Sequence, residues 1–237
     1  KPSDYFNTKL YTGNGSTQSI DVGFQSDFTW LKSRTETKSH VLIDAVRGSN
    51  KDIISNSTAA ENTDATRITG FDSDGFNLGS STTTNTNSQN YASWNWKAGT
   101  TSGIATNGST TITPSAYSFN QTSGFSILKY TGNDTAGAKL AHGLGVAPAM
   151  IIIKNLVTAD NWVVYNSSGM TSSQYMAINN TTTLVTSASE SWNGVDPDSI
   201  NITLGSHSQI NDSELMVAYC FADVQGYSKF GSYIGNG

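Results

Sequence analysis

The feature that most constrains this chain is that its pattern occurs twice. The stretch Val22-Gly-Phe-Gln-Ser-Asp-Phe-Thr-Trp-Leu-Lys32 is answered by Leu144-Gly-Val-Ala-Pro-Ala-Met-Ile-Ile-Ile-Lys154. Each has a glycine turn, a small turn-forming residue (Ser26, Pro148), an apolar-rich strand and a closing lysine. The flanks repeat in the same order. Tyr11-Thr-Gly-Asn14 recurs as Tyr130-Thr-Gly-Asn133, His40 to Asp44 as Trp162 to Asn166, and Ile54-Ser-Asn56 as Ile178-Asn-Asn180. Further on, Asn77-Leu-Gly-Ser80 recurs as Thr203-Leu-Gly-Ser206, and Tyr91 to Trp96 as Met216 to Phe221. The offset drifts from 119 to 126 residues, as loop insertions in a duplicated unit would make it do. A repeat of this length is domain-sized, long enough to bury its own core.

The expected division is a first repeat over residues 1–97, a Ser/Thr/Gly-rich linker over 98–123, and a second repeat over 124–224. Residues 225–237 read as the start of a third repeat, because Phe230-Gly-Ser-Tyr-Ile-Gly-Asn-Gly237 resembles the openings at Leu10 and Leu128. A unit that stops after one strand cannot bury a core, so the sequence reads as a fragment of a longer repeat protein.

Composition sets the class of each unit. Charged residues are 13% and hydrophobic residues 36%, with 22 Gly and abundant Ser, Thr and Asn. The charged share is about half that of ordinary globular chains, and strong helix formers are sparse. Short alternating runs such as Phe28–Ser33, where Phe28, Trp30 and Lys32 share one face, are separated by turn residues every ~8–12 positions. Residues 66–71 and 76–78 flank Asp72-Ser-Asp-Gly75, a hairpin signal. The expectation is an all-β chain of two tandem antiparallel β-sandwich domains, jelly-roll-like and related by internal duplication. A net charge of −5 gives no basic footprint for nucleic acid, and no apolar run is long enough for a membrane-spanning helix.

Chemistry-bearing groups are few. His40, His142 and His207 lack metal-ligand spacing and a cysteine partner, and the lone Cys220 falls in a strand-like run. Asp72 and Asp74 resemble the opening of a calcium loop but lack its later ligands. They are the candidate holders of a weakly bound Ca2+, against the simpler reading of an Asp-rich hairpin turn. No paired carboxylates in a known motif, nucleophile elbow or phosphate loop occurs, so no enzyme is expected. Among the aromatics, Trp94 and Trp96 align with Tyr219 and Phe221 and read as packing residues. Trp192 has no evident partner in the other copy. With Asn193 beside it in Ser189-Glu-Ser-Trp-Asn-Gly194, it is the candidate exposed platform for a sugar ring.

Several of these segments together resemble the tandem units of large virion proteins of marine bacteriophages: Tyr11-Thr-Gly-Asn-Gly-Ser-Thr17, Gly23 to Lys32, Phe71 to Phe76, Trp94-Asn-Trp-Lys-Ala-Gly99, Gly143 to Lys154 and Gly226 to Tyr233. The hosts of those phages are marine bacteria such as cyanobacteria and pelagibacteria. The resemblance covers essentially the whole chain and departs at Ser26, where such units often carry Pro. It implies a tail fibre or other structural protein on the virion surface, in contact with other virion proteins, homo-oligomeric (a trimer is one form), and displaying polar loops towards a bacterial surface glycan. It carries no catalytic or binding residues. The alternatives are a carbohydrate-binding module built on Trp192, a capsid decoration or spacer without a ligand, and a bacterial surface adhesin.

Overall fold

The computed structural model describes residues 1–181 and 183–236. The chain divides into two compact units, Lys1–Gly99 and Thr100–Gly237. In the first, a 3-10 turn at Pro2–Asp4 precedes β1 (Phe6–Thr12), β2 (Gln18–Asp21), β3 (Phe28–Ser33), β4 (Val41–Asp44), β5 (Lys51–Ile54), β6 (Asn62–Thr63), β7 (Ile68–Asp72), β8 (Gly75–Leu78) and β9 (Asn90–Trp96). The large sheet runs β1-β9-β3-β4-β5-β6 and the small one β2-β8-β7, with every pairing antiparallel. First pairs with last (β1 with β9) in one sheet and second with next-to-last (β2 with β8) in the other, the nested wrapping of a jelly roll.

Strand alternation supplies the core. Tyr11, Leu31, Val41, Ile43 and Tyr91 point inward from the large sheet, and Ile20, Ile68, Phe76 and Leu78 meet them from the small one.

The second unit repeats this plan. Its strands are β10 (Ala116–Asn120), β11 (Phe125–Thr131), β12 (Ala138–Ala141), β13 (Met150–Asn155), β14 (Val163–Asn166), β15 (Gln174–Ala177), β16 (Val185–Thr186), β17 (Asn201–Leu204) and β18 (Leu215–Phe221), with a single helical turn, α1 (Ser208–Asn211). The large sheet runs β10-β11-β18-β13-β14-β15-β16, opposite the pair β12-β17. Between them lie Tyr130, Ile151, Ile153, Tyr165, Trp192, Ile202 and Leu204.

The repeated Tyr-Thr-Gly-Asn motif has a physical reason in both units. The Tyr11 hydroxyl donates to the Thr84 carbonyl at 2.7 Å, and the Tyr130 hydroxyl to the Ile210 carbonyl at 2.7 Å. A Cβ on Gly13 would lie 2.2 Å from the Thr86 carbonyl oxygen, and one on Gly132 would lie 2.1 Å from that of Asp212, so only glycine fits. The following asparagine amides, Asn14 and Asn133, donate to the Oδ1 atoms of Asn85 and Asn211 at 2.9 Å each. Those two side chains, both buried, donate in turn to the Gly79 carbonyl at 2.8 Å and the Gly205 carbonyl at 2.9 Å.

Three expectations need correction. The stretch 98–123 is not a free linker: β10 lies within it and pairs along β11, Thr100 bridges to Phe119, and the expected strand near 110–113 is an isolated parallel bridge from Ile112 to Leu140. The repeat register slips by one near residue 178. The His40 amide donates to Asn56 and the Trp162 amide to Asn179, so Asn179 rather than Asn180 matches Asn56. Residues 225–236 form no strand among the described residues. They close a turn by the Val224–Ser228 bridge and lay Phe230 5.9 Å from Phe221. Gly237, the last residue of the expected third repeat, and Thr182 lie outside the described residues.

Candidate functional site

Trp192 is not an exposed platform. Its side chain is fully buried, its indole N–H donates to the Gln174 carbonyl at 2.9 Å, and its ring meets that of Tyr165 edge-on at 5.5 Å. Its counterpart in the first unit is Ile68. The Gly79 amide donates to the Arg67 carbonyl and the Gly205 amide to the Ser191 carbonyl, which aligns the residues that follow. Asn193 sits at φ 55° and Gly194 at 67°, and the Val195 amide closes the turn onto the Trp192 carbonyl at 3.1 Å. Two successive left-handed residues form a type I′ turn, the geometry that selects Asn-Gly. Asn193 is accounted for as a turn residue.

Asp72 and Asp74 are exposed on the β7–β8 hairpin. Asp72 accepts from the Asn77 side-chain amide at 2.7 Å, and the Asp74 backbone carbonyl accepts from the amides of Val22 and Gly23 at 2.8 and 3.0 Å. No cluster of three His, Cys, Asp or Glu that could hold a metal occurs among the described residues, so a cation here would have two surface carboxylates and water. In the second unit, Asp198 accepts from the amides of Ile200 and Asn201 at 2.7 Å each and is a turn-former.

The recess that does converge on polar groups lies in the second unit. It has a volume of about 510 Å³, and its lining includes Pro148, Tyr165, Met170, Thr171, Asp196 and Asp223. The Tyr165 hydroxyl donates to Asp196 Oδ1 at 3.3 Å. Burial, with the Asp196 carboxylate adding to it, pushes that phenol up to about 12, so it stays a neutral donor. Hydroxyls, a phenol and carboxylates over a floor of Pro and Met suit an uncharged polyol better than an anion.

Residues 1–237 match the model of the family described as Domain of unknown function (DUF7483). The chain belongs to this family. No curated protein and no solved structure matches it. The match runs across both units, so the DUF7483 model takes in the pair rather than one sandwich.

The histidines and the cysteine of this DUF7483 chain are tied to its framework. His40 Nδ1 accepts from the Trp30 indole at 2.9 Å, and burial holds its pKa below the usual histidine value. His142 is buried, with Nδ1 accepting from the Leu144 amide and Nε2 against the Asp198 carbonyl. Burial lowers its pKa too, which favours the neutral ring. His207 caps α1 by accepting from the Gln209 amide. The Cys220 thiol is buried and pushed up to about 12, which makes it a packing group rather than a nucleophile.

The charged cluster of the first unit gave no motif in the sequence. Arg47 donates through Nε to Asp44 at 2.5 Å, through Nη1 to Glu61 at 3.0 Å, and through Nη2 to the Leu42 carbonyl at 3.1 Å. Arg67 pairs with Asp52 and with Asp64. The one available signal was that Arg47 and Arg67 are among few arginines in a chain poor in charge.

Proposed function

We propose that this chain is a non-enzymatic structural segment of a bacteriophage virion, most simply a tail fibre or comparable appendage, made of two sandwiches that descend from one duplicated unit. The observation that carries the reading is the recurrence of one buried clamp, Tyr11–Gly13–Asn85 and Tyr130–Gly132–Asn211, on two units whose connecting loops differ. Selection that holds the frame and varies the loops suits a display scaffold. On this reading, which the resemblance of the repeated motifs to marine phage virion proteins supports, the scaffold stands on the particle surface, among other virion proteins and in a homo-oligomer. Repetition along such an oligomer multiplies weak contacts by avidity.

Trp162 and Trp192 are buried, and Trp30, Trp94 and Trp96 are half-buried. That favours the spacer-and-display form of the reading over a carbohydrate-binding module with a tryptophan platform. Within it, the recess beside Tyr165 and Asp196 is the surface offered to a host glycan. The test is immunogold electron microscopy with an antibody raised against the purified chain, applied to phage particles whose genome encodes it. Label on tail appendages is the expected result. Intact particles without label, alongside a positive blot of the infected-cell lysate, would overturn the assignment.

A further inference from the structure

The two large sheets differ at one edge. In the second unit, β10 covers the outer edge of β11, with Asn120 opposite Phe125, Ser118 opposite Ile127 and Ala116 opposite Lys129. In the first unit the equivalent strand, β1, is the last in its sheet. Register and hydrogen-bond parity show which of its groups are left outward. The Lys97 amide donates to the Tyr5 carbonyl and the Gly13 amide to the Gln89 carbonyl, each at 2.8 Å. With Phe6 opposite Trp96, the odd-numbered residues of β1 therefore face β9, and Phe6, Thr8 and Leu10 turn their N–H and C=O groups away from it. These are the positions of Phe125, Ile127 and Lys129, whose outward groups β10 takes up. Thr8, Lys9 and Leu10 are exposed, Leu10 at 57%, whereas Ile127 and Leu128 are fully buried.

We propose that the outer edge of β1 is a strand-acceptor site, filled by an extended, uncharged segment of β10's kind from a partner protein other than a second copy of this chain, with an aromatic residue set opposite Lys9. An unpaired edge is a template for a further strand, and addition to it draws affinity from main-chain bonds and specificity from alternate side chains. Lys9 sets the chemistry of the occupant. It stands where Leu128 lies in the second unit; a lysine at an edge guards against indiscriminate pairing, and a like charge set directly opposite it is destabilising. The residue of β10 opposite Leu128 is Tyr117, whose ring face would accept an ammonium group.

The test uses the full chain and a labelled synthetic peptide of residues 114–121, followed by fluorescence anisotropy. The peptide binds saturably. N-methylation at the residue corresponding to Ser118, whose N–H faces the acceptor, weakens binding at least tenfold, and N-methylation at Phe119, whose N–H faces away, leaves it unchanged. A peptide carrying Tyr117→Lys also loses at least tenfold. Thr8→Pro removes an outward N–H without touching the β1–β9 bonds, a position where an edge strand tolerates proline, and it abolishes binding. No binding, equal effects of the two N-methyl groups, or full binding to a folded Thr8→Pro chain overturns the proposal. If Thr8→Pro fails to fold, the pair of N-methylated peptides decides alone. Should the chain alone sediment as a dimer that Thr8→Pro converts to monomer, the occupant is a second copy and the proposed partner is wrong.

Discussion

At the β4–β5–β6 end of its large sheet, the first unit places Asp44, Arg47, Asp52 and Arg67. The second unit has Asn166, Gly169, Tyr175 and Ser191 at the corresponding positions. The turn chemistry is the same: the Asp44 carboxylate accepts the Val46 amide at 3.1 Å, and the Asn166 side-chain carbonyl accepts the Ser168 amide at 3.0 Å. What differs is how the space behind the turn is filled. The first unit fills it with guanidinium groups, each answered by two carboxylates. The second fills it with rings, Tyr165 edge-on to Trp192 and Tyr175 5.8 Å from His207. Buried charge must be matched partner by partner, because its desolvation cost is recovered only by good geometry. Buried rings need shape and one acceptor for each polar tip. One frame therefore tolerates two interiors, provided each is complete.

The largest effect should come from the rings. Trp192→Ala removes a fully buried indole and orphans the Gln174 carbonyl, and should cost about 3–5 kcal/mol in urea unfolding. Ile68→Ala, at the matching place in the first unit, removes less and should fall lower in the range of about 2–5 kcal/mol. A Trp192→Ala change below about 0.5 kcal/mol, the scale of a surface substitution, would mean that the ring is not the plug the comparison requires.

Next in size is the charged interior. Asp44→Ala leaves Arg47 buried with a missing partner and should cost about 3–5 kcal/mol. Asp44→Asn, which copies Asn166, keeps the turn bonds and loses only the ion pair, so its cost should be clearly smaller. Equal costs for the two variants would mean that the carboxylate's charge dominates and that the shared turn contributes little.

The frame was legible in the sequence because its motifs recur in both units. Tyr-Thr-Gly-Asn, Leu-Gly-Ser and the closing strand stand out twice, and each does the same job in both units. The interior at the β4–β5–β6 end was not legible, because it is the part in which the two units differ. Trp192 looked unpartnered since its counterpart is Ile68, an aliphatic residue 11 positions before Gly79, whereas Trp192 lies 13 before Gly205. Arg47 and Asp44 lie three apart in a turn, which in sequence reads as a solvated loop. The segment 98–123 looked like a linker by composition, yet small polar residues such as Ser118 and Asn120 serve well in an edge strand whose pairing rests on backbone groups.

A difference in pH response should separate the units further. Lys154 is buried, with its ammonium donating to the Asn155 carbonyl at 2.7 Å. Burial lowers its pKa to about 8, partly opposed by the Asp160 carboxylate. Between that value and the ordinary lysine value of 10.5, the unfolded chain holds more protons than the folded one, so stability rises with pH across this window. The unfolding midpoint of the second unit should therefore climb from pH 7.5 to pH 10, and Lys154→Met should flatten the climb. A climb that persists in the variant would assign it to another group.

The smallest effect is the one that tests the shared frame most directly. Tyr11→Phe and Tyr130→Phe each delete a hydroxyl that donates at 2.7 Å to a carbonyl, of Thr84 in the first unit and of Ile210 in the second. Burial raises the pKa of both phenols well above their usual value, so both are neutral donors at any ordinary pH. The rings sit differently: Tyr11 stacks on Tyr91 at 5.1 Å, while Tyr130 lies opposite Met216. Phenylalanine preserves each ring contact and isolates the hydrogen bond, whereas alanine would mix the two. Each variant should cost about 1 kcal/mol, and the two costs should agree within the scatter of such measurements, although the interiors around them differ. A loss confined to one unit would show that the clamp is load-sharing there only, and that the likeness of the two frames is one of geometry and not of energy.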